Sequence, residues 1–325
     1  MRRCPGNLVA VALCLLAAAS PLVGQIAAES TPAQTLTEEQ LAALRQGAAE
    51  AVLSNESVTV PLVGTPTLPL VETHIDGAGP FRLLVDLGSN VTILRRDVVD
   101  AAGIDVVLDR ESSDIVRADS LTIGSVRFGD VWMGAYDELD VDGVIGYNLL
   151  DVFPFVLDLA AQKLTLGSSE VTDVDPRYAV ENRLPYFPAR IGDREILLNP
   201  DTGAIEEMTV PAAWEDSLPL DGEPEPGPIT HNEQTGATHV RVARLATDLR
   251  VGELTLGRPL VYFNPDAEDA WIGCGLLRHY VLSIDPERGR YRLERSDHAA
   301  AVADSYSTGD RKAAASSASV AASAR

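Results

Sequence analysis

The sequence predicts a mainly β chain: two tandem β-barrel lobes related by pseudo-two-fold symmetry, preceded by a short helix. Three observations predict it. Between residues 58 and 297, short apolar and β-branched runs such as VTVPLV, RLLVDLG and PFVLDLAAQKLTLG alternate with Gly, Pro and Asp breaks, the pattern of strands joined by turns. The second half of that stretch repeats the first. GYNLLDVFPFVLDLAAQKLTL (146–166) aligns without a gap on GCGLLRHYVLSIDPERGRYRL (273–293), and LTIGSV (121–126) aligns on LRVGEL (249–254). Each repeat also carries one Asp-x-Gly at the end of an apolar strand. FRLLVDLGSN (81–90) falls on ILLNPDTGAI (196–205), which sets Asp86 on Asp201, Gly88 on Gly203 and Ser89 on Ala204.

The elements follow in chain order. Residues 1–28 read as a signal peptide: Arg2 and Arg3 precede the apolar run Leu8 to Leu16, and Ala17, Ala18, Ala19 and Ser20 supply small residues for cleavage. That reading places the mature chain in an exported compartment, periplasmic or secreted. Residues 29–57 form a linker and an amphipathic helix, with apolar residues at helical spacing from 36 to 54 and a capping box at Thr37 and Gln40. The first lobe spans 58–170 and the second 171–297, with short helices expected at RRDVVDAAG and YNLLDVF. Residues 298–325, rich in Ala and Ser with little to bury, read as a disordered tail.

Composition excludes several classes. The 325 residues carry a formal net charge of −22, so a basic nucleic-acid footprint is absent and anionic membrane surfaces repel the chain. After the signal, no stretch is long and apolar enough to cross a bilayer as a helix. Two of the three cysteines, Cys4 and Cys14, leave with the signal. Cys274 remains alone, without an intramolecular partner for a disulfide. The five histidines are scattered with no metal-ligand spacing, so no metal or other cofactor is expected.

A carboxylate at the end of a buried strand is costly unless it is paired or hydrogen-bonded. Two related half-structures packed about an approximate two-fold bring equivalent groups together. Two carboxylates so placed share one proton over a working pH range. One then serves as general base on a water and the other as general acid. The glycine after x lets the backbone turn sharply beside them.

At these residues the sequence resembles the retropepsin-like and pepsin-like aspartic proteases. Asp201-Thr202-Gly203-Ala204 is similar to the active-site signature of that family. Val144-Ile145-Gly146 and Trp271-Ile272-Gly273 resemble its second element, which passes beside the active-site loop. Each repeat, about 100–120 residues, is of single-domain size. The resemblance implies two retropepsin-like lobes fused in one exported chain, a monomer with an internal pseudo-dimer. It implies an aspartic endopeptidase acting on a peptide or unfolded protein in acidic to neutral solution. Asp86 and Asp201 would be catalytic. Leu87, Gly88, Ser89, Thr202, Gly203 and Ala204 would shape the loops, and Ile145, Gly146, Ile272 and Gly273 would support them.

The sequence departs from that pattern at four places. Leu87 stands where the family has Thr or Ser, so one hydroxyl of the brace between the loops is missing; either Leu87 simply packs, or it marks a site released from catalysis. Asn199-Pro200 precedes Asp201, and a proline fits poorly in a central strand. Glu206 and Glu207 replace Val91 and Thr92 of the first repeat and are expected to face solvent. The flap segments are atypical: 105–120 has no glycine, and the prolines of 221–240 argue against a regular hairpin. The runner-up function is a non-catalytic relative that binds peptides or a partner in the inter-lobe cleft. For Asp158 and Asp285 the reading is structural, as acids that close hairpin turns.

Overall fold

A computed structural model describes residues 36–109, 113–137, 139–232 and 236–299. The expected signal peptide and all but the first two residues of the expected tail lie outside them.

The N-terminal helix, Glu38–Gln46, opens on the expected capping box: Thr37 Oγ1 accepts from the Gln40 amide at 3.1 Å, and Gln40 Oε1 accepts from the Thr37 amide at 3.0 Å. It is shorter than its periodicity predicts. Gly47 takes φ 85° and ends it, and Ala48–Leu53 continues as a strand against Val126–Tyr136. A side chain at Gly47 would stand 2.6 Å from Asn148 Nδ2, so both conformation and space require glycine. Sheet pairing thus overrides the helical propensity of the Ala and Glu residues at 48–51. The helix packs on the first lobe through Leu44, which is fully buried.

The repeat in the sequence is a repeat in strand topology. In the first half, Ala78–Asp86 runs parallel to Gly143–Gly146. That strand is antiparallel to Ile93–Arg95, which is in turn parallel to Val126–Tyr136. In the second half, Arg194–Pro200 runs parallel to Trp271–Ile272. That strand is antiparallel to Met208–Pro211, which is parallel to Leu260–Asn264. Each half therefore threads an Asp-bearing strand beside a short central strand ending in the apolar-Ile-Gly triplet. LTIGSV and LRVGEL form equivalent turns, with Gly124 at φ 57° and Gly252 at φ 55°.

A separate five-stranded sheet joins the halves. Phe155–Asp158 of the first pairs antiparallel with Tyr280–Asp285 of the second, with Phe155 opposite Ile284 and Leu157 opposite Leu282. The acids at its turns are structural. Asp158 Oδ1 accepts from the Ala161 amide at 2.9 Å, and Asp285 Oδ1 accepts from the Arg288 amide at 3.0 Å. One apolar core runs through both lobes, and within it Phe187 stacks on Tyr291 with ring centroids 3.8 Å apart.

Each lobe carries a hairpin where the family places a flap. In the first, Asp105–Leu108 pairs with Asp114–Ile123. In the second, Glu225–Asn232 pairs with Gly236–Arg244. The prolines of the second do not prevent the hairpin; they confine its irregularity to a register shift between Pro226 and Ile229.

Candidate active site

Asp86 ends a strand whose preceding residues, Leu83, Leu84 and Val85, are buried, and Asp86 itself is 1% exposed. Its strand partner at that level is Gly146. Asp201 follows Pro200 and is fully buried. Its amide donates to the Ile272 carbonyl at 2.9 Å, and the Asn199 amide donates to the Ala270 carbonyl at 3.1 Å. These two donors face the Trp271 strand. Pro200 lies between them, on the side where pairing with Leu184–Ile191 has already ended at Leu198 opposite Phe187. The missing N–H therefore interrupts no ladder, which is why the proline is tolerated.

The fold brings the two carboxyl groups into mutual hydrogen-bond reach. Backbone amides converge on them. Gly88 N donates to Asp86 Oδ1 at 2.8 Å, and Gly203 N lies 3.0 Å from Asp86 Oδ1 and 2.9 Å from Asp201 Oδ1. Ala204 N donates to Asp201 Oδ1 at 3.1 Å. The glycines are required by close approach. A Cβ on Gly88 would fall 2.4 Å from the Asp201 carboxyl carbon, and one on Gly203 would fall 2.5 Å from Asp86 Oδ2. Burial, and next the charge of Asp201, push the Asp86 carboxyl well above the usual carboxylate range, against the pull of the Gly88 and Gly203 amides.

The brace between the loops is half conventional and half new. Thr202 Oγ1 donates to the Val85 carbonyl at 2.7 Å and accepts from the Leu87 amide at 3.0 Å. Leu87 packs in the core with no hydroxyl to return. A further cross-lobe bond comes from Asn199, fully buried, whose Nδ2 donates to the Leu87 carbonyl at 3.3 Å and to the Pro185 carbonyl at 2.9 Å. The sequence marked Asn199 only as a departure. The signal for its role was a polar residue in a run otherwise apolar.

Further contacts of the loop residues hold the loops in shape. Ser89 Oγ donates to the Val91 carbonyl at 2.8 Å. The Ser89 and Ala204 carbonyls accept from the Tyr147 and Cys274 amides, both at 2.7 Å. Ile145 and Ile272 are fully buried in the core. Gly146 and Gly273 pass so close to the loops that a Cβ would meet the carbonyl oxygens of Val91 at 2.6 Å and Glu206 at 2.5 Å. One support was missed in the sequence. Thr92 Oγ1 accepts from the Gly146 amide at 3.1 Å and donates to Asn148 Oδ1 at 2.9 Å, while Asn148 Nδ2 reaches the Leu44 carbonyl at 3.3 Å. The N-terminal helix is thereby tied to the Asp86 loop. Cys274 is buried, donates weakly to the Thr202 carbonyl at 3.2 Å, and has its thiol pushed up by burial.

One expectation is corrected. Glu206 does not face solvent; it is 8% exposed, and burial pushes its carboxyl up to about 7. Glu207 is partly exposed and accepts from the Leu260 amide at 2.7 Å.

Residues 71–149, which hold the Asp86 loop and Val144-Ile145-Gly146, match the family model described as aspartyl protease. A curated relative, DNA damage-inducible protein 1 from Neurospora crassa, is 24% identical over 196 residues, covering 53% of this chain. The match takes in 44% of that protein, so the chain spans under half of the relative's length. Among solved structures, the aspartic proteinase from Irpex lacteus aligns with a TM-score of 0.50 at 15% identity, over 76% of this chain and 99% of that one. A retropepsin-like aspartic protease from Rickettsia conorii aligns with a TM-score of 0.29 at 18% identity, over 36% of this chain and 91% of that one. The resemblance read from the sequence is borne out: residues 71–149 match the aspartyl protease model, and the chain is similar to retropepsin- and pepsin-like proteins. Its mainly β fold is of the pepsin-like kind.

Proposed function

We propose that the chain is an exported aspartic endopeptidase in which Asp86 and Asp201 activate a water molecule. The observation that carries this reading is the buried pair of carboxyls within hydrogen-bond reach, each fed by backbone amides. At a pH where the pair holds one proton, the ionised member removes a proton from water as the oxygen attacks the peptide carbonyl carbon. The protonated member gives its proton to the carbonyl oxygen. Collapse of the tetrahedral species breaks the C–N bond, and a proton returned through the dyad leaves with the amine. The substrate is an extended peptide or unfolded segment, paired strand-like in the cleft. Export rests on the basic and apolar pattern of residues 1–28.

The test is cleavage of an unfolded protein from pH 3 to 7 by the wild type, Asp86→Asn and Asp201→Asn. Each substitution is expected to lower kcat by about 10²–10⁴-fold while circular dichroism stays unchanged. Rates that survive both substitutions would falsify the proposal. If none of the three proteins cuts and all are folded, the cleft is a binding site for peptides rather than a catalytic one.

A further inference from the structure

The repeat makes one asymmetry beside the dyad easy to locate. In the first lobe, Val91 and Val144 pack with Leu84 and Ile93 in an apolar cluster. Their counterparts in the second lobe are Glu206 and Trp271. Trp271 packs on Ala204, directly after the Asp201 turn. Glu206 feels the charge of Asp201. The two line a pocket with Thr209, Tyr262 and Asn264, and Pro228 and Val240 of the second-lobe hairpin complete it. Among the described residues the Glu206 carboxyl meets its own amide and that of Ile205, and no Lys, Arg or His pairs with it. A carboxylate held in low dielectric without a counter-charge is costly, and its upward shift to about 7 reports that cost.

We propose that this pocket is a specificity subsite for a basic side chain, lysine or arginine, of the substrate. Glu206 supplies the counter-charge. Trp271 and Tyr262 supply aromatic walls along which an alkyl stem lies and over which a cation is attracted. Thr209 and Asn264 offer oxygens for the remaining N–H donors. The pocket as it stands has room for about one water beside the carboxyl. A long side chain therefore enters as Pro228 and Val240 move outward with their hairpin, displacing that water. The symmetry-related position, built on Val91 and Val144, is filled by the chain's own apolar cluster and carries no carboxylate, so the basic preference is confined to one side of the dyad.

This inference rests on the reading of the cleft as a peptide site, and the experiment separates the two. Short unstructured peptides are made in pairs that carry lysine or norleucine at the same position, scanned along both sides of a leucine. At one position wild type is expected to cut the lysine peptide about tenfold faster in kcat/KM. Glu206→Gln, which keeps volume and removes charge, is expected to bring that ratio near one. Trp271→Leu is expected to lower it as well, with melting curves confirming that each variant is folded. Cleavage with no lysine preference at any position, or with a preference that Glu206→Gln leaves intact, overturns the subsite and leaves the protease reading standing. If wild type cuts nothing, the same pairs are titrated by fluorescence anisotropy. A lysine preference in binding that Glu206→Gln abolishes upholds the subsite while the protease reading falls. Equal binding, or none, overturns both.

Discussion

Asn199 and Leu87 are best understood together. A threonine at both x positions gives each loop one hydroxyl to brace the other; here one is missing, and an amide on the strand leading into the Asp201 loop adds a cross-lobe bond. Asn199→Leu should therefore loosen the Asp86 loop and lower kcat roughly tenfold with little change in KM, since about 1–2 kcal/mol of buried hydrogen bonding is lost. Leu87→Thr placed in that background should restore part of the rate, because a hydroxyl returns to the interface; a double-mutant cycle on kcat measures it. Acid titration supplies a second prediction. Glu206 titrates near 7 in the folded chain, above its ordinary value. Its favourable contribution is thus full below about pH 4 and is lost as pH rises through about 7. Glu206→Gln should remove up to about 3 kcal/mol of that loss, read from urea unfolding at pH 4.5 and 7.5. Asp86 has the same sign, so Asp86→Asn should gain stability relative to wild type as pH rises. At this scale the sequence made the paired aspartates legible, because duplication sets equivalent residues about a two-fold. It left Glu206 misjudged, although its alignment with the buried Val91 already held the information that the position faces inward.

Among the elements, the N-terminal segment shows how far local pattern reaches. The capping box fixed the start of the helix, since its hydrogen bonds lie within four residues. Its end was set by Gly47 against Asn148, a residue about one hundred positions away, which no window of local sequence contains. Gly47→Ala should cost about 1–3 kcal/mol, combining a left-handed φ with a clash against the side chain that ties this helix to the Asp86 loop. A thermal melt checks the stability, and a parallel fall in peptide cleavage would show that the tie matters to the loop. The proline-rich hairpin teaches the complementary lesson. Proline blocks a ladder bond only where its N–H would have pointed at a partner. Pro200 presents its missing N–H to the side where pairing with Leu184–Ile191 has ended, and in the hairpin the irregularity is held between Pro226 and Ile229. That directional information belongs to the folded sheet and is not in the composition of the segment.

At the scale of the whole molecule, the antiparallel pairing of Phe155–Asp158 with Tyr280–Asp285 and the core shared across both halves make the lobes interdependent. Calorimetry should therefore record a single unfolding transition, and two resolved transitions would show that the lobes fold independently. The repeat gave this architecture in outline from the sequence, down to the matched turns at Gly124 and Gly252. The joining sheet was not legible, because nothing in either repeat states which of its strands will meet its twin. Joining both halves in one chain has a final consequence. A site built from two identical subunits looks the same to a peptide laid in either sense, N to C or C to N. Here Leu87 faces Thr202, and Val91 answers to Glu206. On the proposed peptide-binding reading such a site would have a head and a tail, and a bound polypeptide one preferred polarity and register.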